Sequence, residues 1–299
     1  MTEMTVGIDV GGSRTRVGAV DALGRVHALI TSPTPRGGEA LIGHLVAGVN
    51  EIEGQLATRP VGCGVGVPGK VDEAGGLSLA VNLGIDQPLA LRERLVERMG
   101  MPVRVDNDVN VAAYGAARLA GLERGTLFYL NVGTGLAAGV CIDGIVHRGL
   151  TGGAGEVGHM PLIGGPRPCK CGQRGCAEVR ASGSAIIKRW GQEGASVADV
   201  WDAADRGDVR ALAIRSDALN ALATLILCGL LMLDADIVMI GGGVAALGNR
   251  LKHPLLEQIE TAVDRSPLLA SYGAAERLEL ADPETEYGVI GSSWMARSP

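Results

Sequence analysis

Four residues between positions 159 and 176 have the types and spacing to hold a metal ion: His159, Cys169, Cys171 and Cys176. They lie on a Gly- and Pro-rich stretch, and one His with three Cys suits a single tetrahedral Zn²⁺. Two carboxylates, Glu156 and Glu178, bracket the set. Four protein donors leave no position for a reactive water, which disfavours a zinc hydrolase. The ion is expected to act as a staple on a loop with little core of its own, fixing His159 and the two flanking acids.

A second concentration of chemistry is Val105-Asp106-Asn107-Asp108-Val109-Asn110, between an expected strand and an expected helix. Either Asp could simply cap the helix. Yet ligands of α/β proteins sit at such strand ends. In a transfer to a hydroxyl, one Asp would accept the proton and a neighbouring Asn would hold a second hydroxyl.

Glycine turns form the third group. Asp9-Val10-Gly11-Gly12-Ser13-Arg14-Thr15 offers backbone N–H groups and hydroxyls around a phosphate, with Asp9 placed to hold Mg²⁺ through water. Asn131-Val132-Gly133-Thr134-Gly135 repeats the arrangement. Gly241, Gly242 and Gly243 follow a late strand and suit close approach of a nucleotide. Gly64-Val65-Gly66-Val67-Pro68-Gly69-Lys70 matches two phosphate-loop patterns, but both need a helix to start there. A turn signal follows instead, and Val71 stands where Ser or Thr would be required, so both readings are rejected.

The elements that must carry these residues follow from periodicity. Strands are expected at 6–10, 15–20, 26–30, 61–67, 103–105, 127–132, 136–142 and 237–240. Helices are expected at 39–56, 89–99, 109–119, 181–190, 197–204, 209–233 and 287–295, with a turn-rich stretch before the last. At a constant offset of 122, Asp9-Val10-Gly11 lies over Asn131-Val132-Gly133 and Asp21 over Asp143. The repeated order of strand, Gly turn, strand and Asp turn points to two related α/β halves.

Composition narrows the classes further. A chain of 299 residues has room for two domains, and with 3% aromatics its cores must be aliphatic. The net charge is −6 and no basic run exceeds two residues, which disfavours a nucleic-acid platform. The first residues show no signal-peptide pattern. The apolar stretch 219–233 is short for a membrane span and is expected to be a buried helix. Cys63, Cys141 and Cys228, outside the metal set, are expected to be buried reduced thiols of a cytoplasmic protein.

Taken together, these motifs resemble the ROK family of repressors, open reading frames and sugar kinases. The most specific part is Glu156-x-x-His159 followed by Cys169-x-Cys171-Gly172-x-x-Gly175-Cys176-x-Glu178. The resemblance implies a duplicated actin-like (ribonuclease H-like) ATPase fold, with two lobes around a cleft and a structural zinc loop. The lobes would be 1–115 with 287–299, and 116–286 with the zinc loop at 156–178. It implies phosphorylation of a hexose by Mg-ATP, glucose first, with mannose, fructose, N-acetylglucosamine and N-acetylmannosamine as alternatives. Asp108 would be the catalytic base. Asn107, Glu156, His159 and Glu178 would hold the sugar, and Gly69 and Asn82 would lie on its side of the cleft. The nucleotide would be held by Asp9, Gly11, Gly12, Ser13, Arg14 and Thr15, by Gly133, Thr134 and Gly135, and by Gly241, Gly242 and Gly243. Zinc would bind His159, Cys169, Cys171 and Cys176.

Ser13-Arg14 replaces the family's usual Thr-Lys, which keeps a hydroxyl and a positive charge but could alter the phosphoryl donor, polyphosphate included. The family also contains repressors, whose DNA-reading segment would precede the first glycine turn. With that turn beginning at Asp9, the kinase reading is favoured, and a homodimer or dimer of dimers is expected. A non-catalytic sugar sensor is the remaining alternative, against which the retained Asp108 and phosphate turns argue.

Overall fold

The computed structural model describes residues 3–56, 59–163 and 165–297. Residues 1–2 and 298–299 of the expected N-terminal lobe and Gly164 of the expected zinc loop lie outside them. The chain begins with β1 (Thr5–Val10), β2 (Arg14–Val20), β3 (Val26–Pro33), α1 (Gly38–Gln55) and β4 (Cys63–Val67). It continues through β5 (Lys70–Val71), β6 (Leu77–Leu79), α2 (Leu91–Met99), β7 (Val103–Asn107) and α3 (Asp108–Leu119). The second half opens with β8 (Thr126–Val132), β9 (Leu136–Ile142) and β10 (Ile145–Val146). After the metal-loop segment come α4 (Glu178–Ala181), α5 (Gly183–Trp190), α6 (Val197–Asp205), α7 (Val209–Leu233) and β11 (Ile237–Gly241). The chain closes with α8 (Asn249–Val263), α9 (Pro267–Ala270), α10 (Ala274–Arg277), β12 (Leu278–Leu280) and α11 (Tyr287–Arg297).

The two main sheets have the orders β3-β2-β1-β4-β7 and β10-β9-β8-β11-β12. Matched position by position, each has an antiparallel meander followed by two later strands, as the internal repeat predicts. The fold is the duplicated actin-like one. The chain forms two compact units, one of residues 1–124, 139–154 and 286–299 and the other of 125–138 and 155–285.

In the first unit the sheet buries alternate residues on opposite faces, as a strand must. Val6, Ile8 and Val10 of β1 and Cys63, Val65 and Val67 of β4 join Leu41, Leu45, Ile52, Leu91 and Leu95 of α1 and α2 in one core. The other face is nearly bare, and α11 lies directly on it. A Cβ at Gly7 would stand 1.8 Å from the Val289 carbonyl oxygen, and one at Gly64 the same distance from that of Ser292. Gly64 is therefore a packing glycine. The Gly64–Lys70 segment passes from β4 into β5 and starts no helix, which agrees with its rejection as a phosphate loop.

In the second unit α7 supplies Ala218, Leu222, Leu225 and Ile226 to the core. Its 25 residues are long and apolar enough to cross a membrane, but half of its apolar stretch is buried in the protein. The helix is longer than the apolar stretch 219–233 because a mixed segment, capped by Asp208 and burying Ala211 and Ile214, precedes it.

Three expectations need correction. The turn-rich stretch before the last helix contains α8, a 15-residue helix with Pro254 inside it. Pro254 has no N–H for the Arg250 carbonyl four residues back, and the buried Trp201 indole donates to that carbonyl instead, at 3.1 Å. The helix expected at 181–190 starts two residues later, as α5, because Ser182 is extended and its hydroxyl accepts the Ala185 N–H, and a separate short turn, α4, precedes it. All six cysteines are unpaired, but Cys228 is only half-buried, unlike Cys63 and Cys141.

Candidate active site

In the first unit, the carboxyl ends of β1, β4 and β7 bring Asp9, Gly66 and Asp106 onto one rung of the sheet. Strand ends of this kind are where α/β folds present ligand-binding groups. Asp108 is the first residue of α3, so the positive end of the helix dipole favours negative charge there. The cap of that helix is Asn107, and neither aspartate serves in that place. Its Oδ1 accepts the Val109 and Asn110 N–H groups at 2.9 and 3.3 Å, and its Nδ2 donates to the Gly69 oxygen at 3.0 Å. Asn107 thus joins the helix start to the Pro68-Gly69 turn. Asn82 lies exposed on the 3-10 turn Val81–Leu83.

Asp106 is 3% exposed. Its carboxylate accepts the Asn107 backbone N–H at 2.7 Å, the Asn110 side chain at 3.0 Å and Arg148 Nε at 2.6 Å. A cavity of 440 Å³ adjoins this group, lined among others by Arg92, Arg104, Tyr114 and Arg148.

The first glycine turn closes with Gly11 N–H donating to the Arg14 oxygen at 2.8 Å, and Thr34 Oγ1 donates to the Gly11 oxygen at 2.8 Å. Ser13 and Arg14 are exposed beside it, while Thr15 is buried against Thr34. A Cβ at Gly12 would meet nothing within 4 Å, so its backbone faces open space. Behind the turn, Asp9 stands 3.8 Å from Arg16, and Arg16 stands 3.4 Å from Glu286. Desolvation raises the Asp9 pKa to about 6, opposed by Arg16 and aided by Glu286. Its side chain is nevertheless 23% exposed, so it is packed round by protein yet reachable.

In the second unit the equivalent turn is built alike, with Gly133 N–H donating to the Gly135 oxygen at 3.0 Å. The start of α5 closes over its back: Gly183 N–H donates to the Gly133 oxygen at 2.8 Å and Ser184 Oγ to the Thr134 oxygen at 2.5 Å. Gly242, at φ +80°, sits against Asn131 and Val132, and Gly241 against the Tyr129 hydroxyl. Gly133 and Gly243 have open space where a Cβ would be. The three glycine segments therefore divide into residues that pack and residues that leave backbone accessible.

The metal set is also within this unit. The donor atoms of His159, Cys169, Cys171 and Cys176 lie within 4.8 Å of one another. His159 Nδ1 is 3.7 Å from Cys169 Sγ, and Cys171 Sγ is 3.6 Å from Cys176 Sγ. A tetrahedron with Zn–S bonds of about 2.3 Å has edges of about 3.8 Å, so the residues fit the ion. Ligation by Nδ1 would place the ring proton on Nε2, which faces the Glu156 carboxylate at 3.9 Å. Glu178, at the other end of the loop, accepts the Leu136 N–H at 3.1 Å and stands 3.8 Å from Lys170.

Arg16 and Glu286 around Asp9, Arg148 on Asp106 and Lys170 beside Glu178 are neighbours that no motif singles out. Arg16 was accessible in principle, because it is the β2 residue paired across from Asp9 in the hairpin register. Arg148 and Glu286 lie far from their partners in sequence and carry no periodic signal.

The sequence profile of the ROK family matches residues 5–298. A glucokinase of Halalkalibacterium halodurans is 29% identical, over 98% of this chain and 94% of its own. An N-acetylmannosamine kinase of Vibrio cholerae is 34% identical, over 68% of this chain and 70% of its own. Among solved structures, a ROK family glucokinase from Streptomyces griseus in complex with glucose and AMPPNP is 26% identical with a TM-score of 0.80, covering 98% of this chain and 99% of that one.

Proposed function

The chain belongs to the ROK family, and from that membership we infer that it transfers the γ-phosphoryl group of ATP to a hexose hydroxyl, with O6 of glucose the first acceptor to test. The observation that carries this reading is Asp108 on the first turn of α3, held at the end of β7 by the Asn107 cap. A carboxylate in that place is suited to take the proton of an attacking hydroxyl. Phosphoryl transfer otherwise needs positioning and charge stabilisation more than covalent chemistry.

In this reading Asp108 accepts the hydroxyl proton. Asn107, which has a second amide proton to offer, reads a neighbouring hydroxyl together with Glu156, His159 and Glu178, and Gly69 and Asn82 border the sugar. The turns at Gly11-Gly12-Ser13-Arg14-Thr15 and Gly133-Thr134-Gly135 cradle the triphosphate. Asp9 holds Mg²⁺ through water, and Gly241, Gly242 and Gly243 lie against the nucleoside. Zn²⁺ at His159, Cys169, Cys171 and Cys176 would supply a cross-link and no reaction step, since four protein donors leave no open position. A cytoplasmic homodimer or dimer of dimers is the expected form of the enzyme.

The likeness to an N-acetylmannosamine kinase keeps the acceptor open among glucose, mannose, fructose and the 2-acetamido hexoses. One substituent at C2 changes selectivity by roughly 1–3 kcal/mol. ADP release measured over that panel, with ATP or polyphosphate as donor, tests the proposal. Turnover with at least one hexose is expected. Sugar binding without ADP release from any of them would favour a non-catalytic sensor.

A further inference from the structure

Within the second unit, one carboxylate gathers three guanidinium groups. Asp217, on α7, stands 2.8 Å from Arg167 Nη1, 2.5 Å from Arg180 Nη2 and 2.9 Å from Arg189 Nη1. Arg180 adds a second bond through Nε at 2.6 Å to the same oxygen, Oδ1. Asp217 is 18% exposed, and Arg180 and Arg189 are similarly enclosed. Pairs so far removed from water are screened less than surface pairs.

The three arginines come from three places that matter to the metal loop. Arg167 lies in the spacer between His159 and Cys169. Its own backbone carbonyl accepts the Gly175 N–H at 2.8 Å, next to Cys176. Arg180 lies two residues beyond Glu178, on the single turn of α4. Arg189, on α5, donates to the Arg180 backbone oxygen at 3.2 Å and so braces that turn from behind. Within the loop, two isolated bridges, Pro161 with Cys176 and Pro168 with Arg174, are the only strand-like pairings among the described residues, and they tie the loop to itself rather than to α7.

We propose that Asp217 is a positioning residue: a second staple, independent of the metal, that ties the metal loop and the Glu178 turn to α7. One carboxylate among three cations leaves a local excess of two positive charges. Removing it does more than delete three ion pairs, because the guanidinium groups then repel one another across the loop they hold. The state of Arg189 fits this balance. Burial holds its pKa below the usual range, Asp217 opposes that shift, and Arg167 and Arg180 reinforce it.

The functional consequence rests on the sugar-kinase reading, but the physical one does not, and the test keeps them apart. The Asp217→Asn, Asp217→Glu and Arg167→Ala variants are loaded with Zn²⁺, and release of the metal to a chromogenic chelator is timed. Asp217→Asn is expected to release zinc on the order of tenfold faster, the lower end of what loss of an outer support does to metal affinity. Asp217→Glu, which keeps the charge, should recover most of that. Arg167→Ala, which removes only an arm 43% exposed at the surface, covers the case in which Asp217→Asn does not fold, and should accelerate release by a smaller factor. In turnover assays the apparent KM for sugar should rise in Asp217→Asn while that for ATP stays within about twofold.

Zinc release at the parent rate from both Arg167→Ala and a folded Asp217→Asn would overturn the proposal. So would a parallel rise in both KM values with no rescue by Asp217→Glu, which is the mark of a merely structural residue. If no hexose is turned over at all, the kinase reading fails while the zinc-release rates still decide the role of Asp217.

Discussion

The Glu178 carboxylate accepts the Leu136 backbone N–H at 3.1 Å, so the acid at the end of the metal loop is bonded to the strand that leaves the Gly133-Thr134-Gly135 turn. Glu178 Oε2 would lie only 3.0 Å from a Cβ at Gly135, so the turn and the acid are packed against each other. One side chain thus serves a proposed sugar contact and a proposed phosphate turn.

That double duty is separable by substitution. Glu178→Gln keeps an acceptor for Leu136 and removes the charge, so it should raise the KM for sugar and leave that for ATP unchanged. Glu178→Ala removes both and should raise both KM values. A hydrogen bond to a charged group contributes about 1.5–3 kcal/mol, so sugar kcat/KM in the Ala variant should fall roughly 10- to 150-fold. Identical kinetic patterns in the two variants would contradict the separation.

Chelation, or Cys171→Ser, should weaken sugar binding before nucleotide binding. His159 is both a donor to the metal set and the partner facing Glu156. Isothermal titration with sugar and with ATP analogue, before and after metal removal, measures this. An unchanged sugar affinity in the metal-free protein would count against the staple role.

Asp9 should make stability depend on pH. Its folded-state pKa is about 6, against 3.8 for the free group. Below 3.8 the carboxyl is protonated in both states and contributes nothing. As pH rises from 3.8 to about 6 the unfolded chain ionises first, so stability is lost. Above 6 the full penalty applies, up to about 3 kcal/mol. Asp9→Asn should therefore melt higher than the parent at pH 7.5 without nucleotide, and the gap should close by pH 4. A gap of equal size at both pH values would assign the difference to packing.

Trp201→Phe should destabilise the second unit by about 1 kcal/mol, because it removes the donor to the Arg250 carbonyl that Pro254 leaves without a helical partner. Denaturant midpoints at constant slope measure it, and an unshifted midpoint would show that water replaces the indole at no cost.

These residues also show what could be read from sequence. The duplicated sheet was legible because strand period, Gly turn and Asp turn recur at a fixed offset, and local grammar of that kind is written in neighbouring residues. The metal set was legible because its donors fall within eighteen positions. Helix α8 was obscured by Pro254, whose lost bond is made good by Trp201 from another helix, about fifty residues away in sequence. The α3 cap was expected to be one of the two aspartates, and it fell instead to Asn107 between them, whose amide can accept from the helix and donate to Gly69 at once. Ion pairs such as Asp217 with Arg167 join residues fifty positions apart, and no spacing rule announces them.

If Asp108 takes the proton from a hexose hydroxyl, its removal should stop turnover and spare sugar binding. ADP release with the best hexose acceptor and sugar binding by calorimetry are compared between the parent and Asp108→Asn. The expected result is a fall in kcat of about 10²- to 10⁴-fold, with sugar affinity within about twofold of the parent. Turnover of the Asn variant near that of the parent would contradict it.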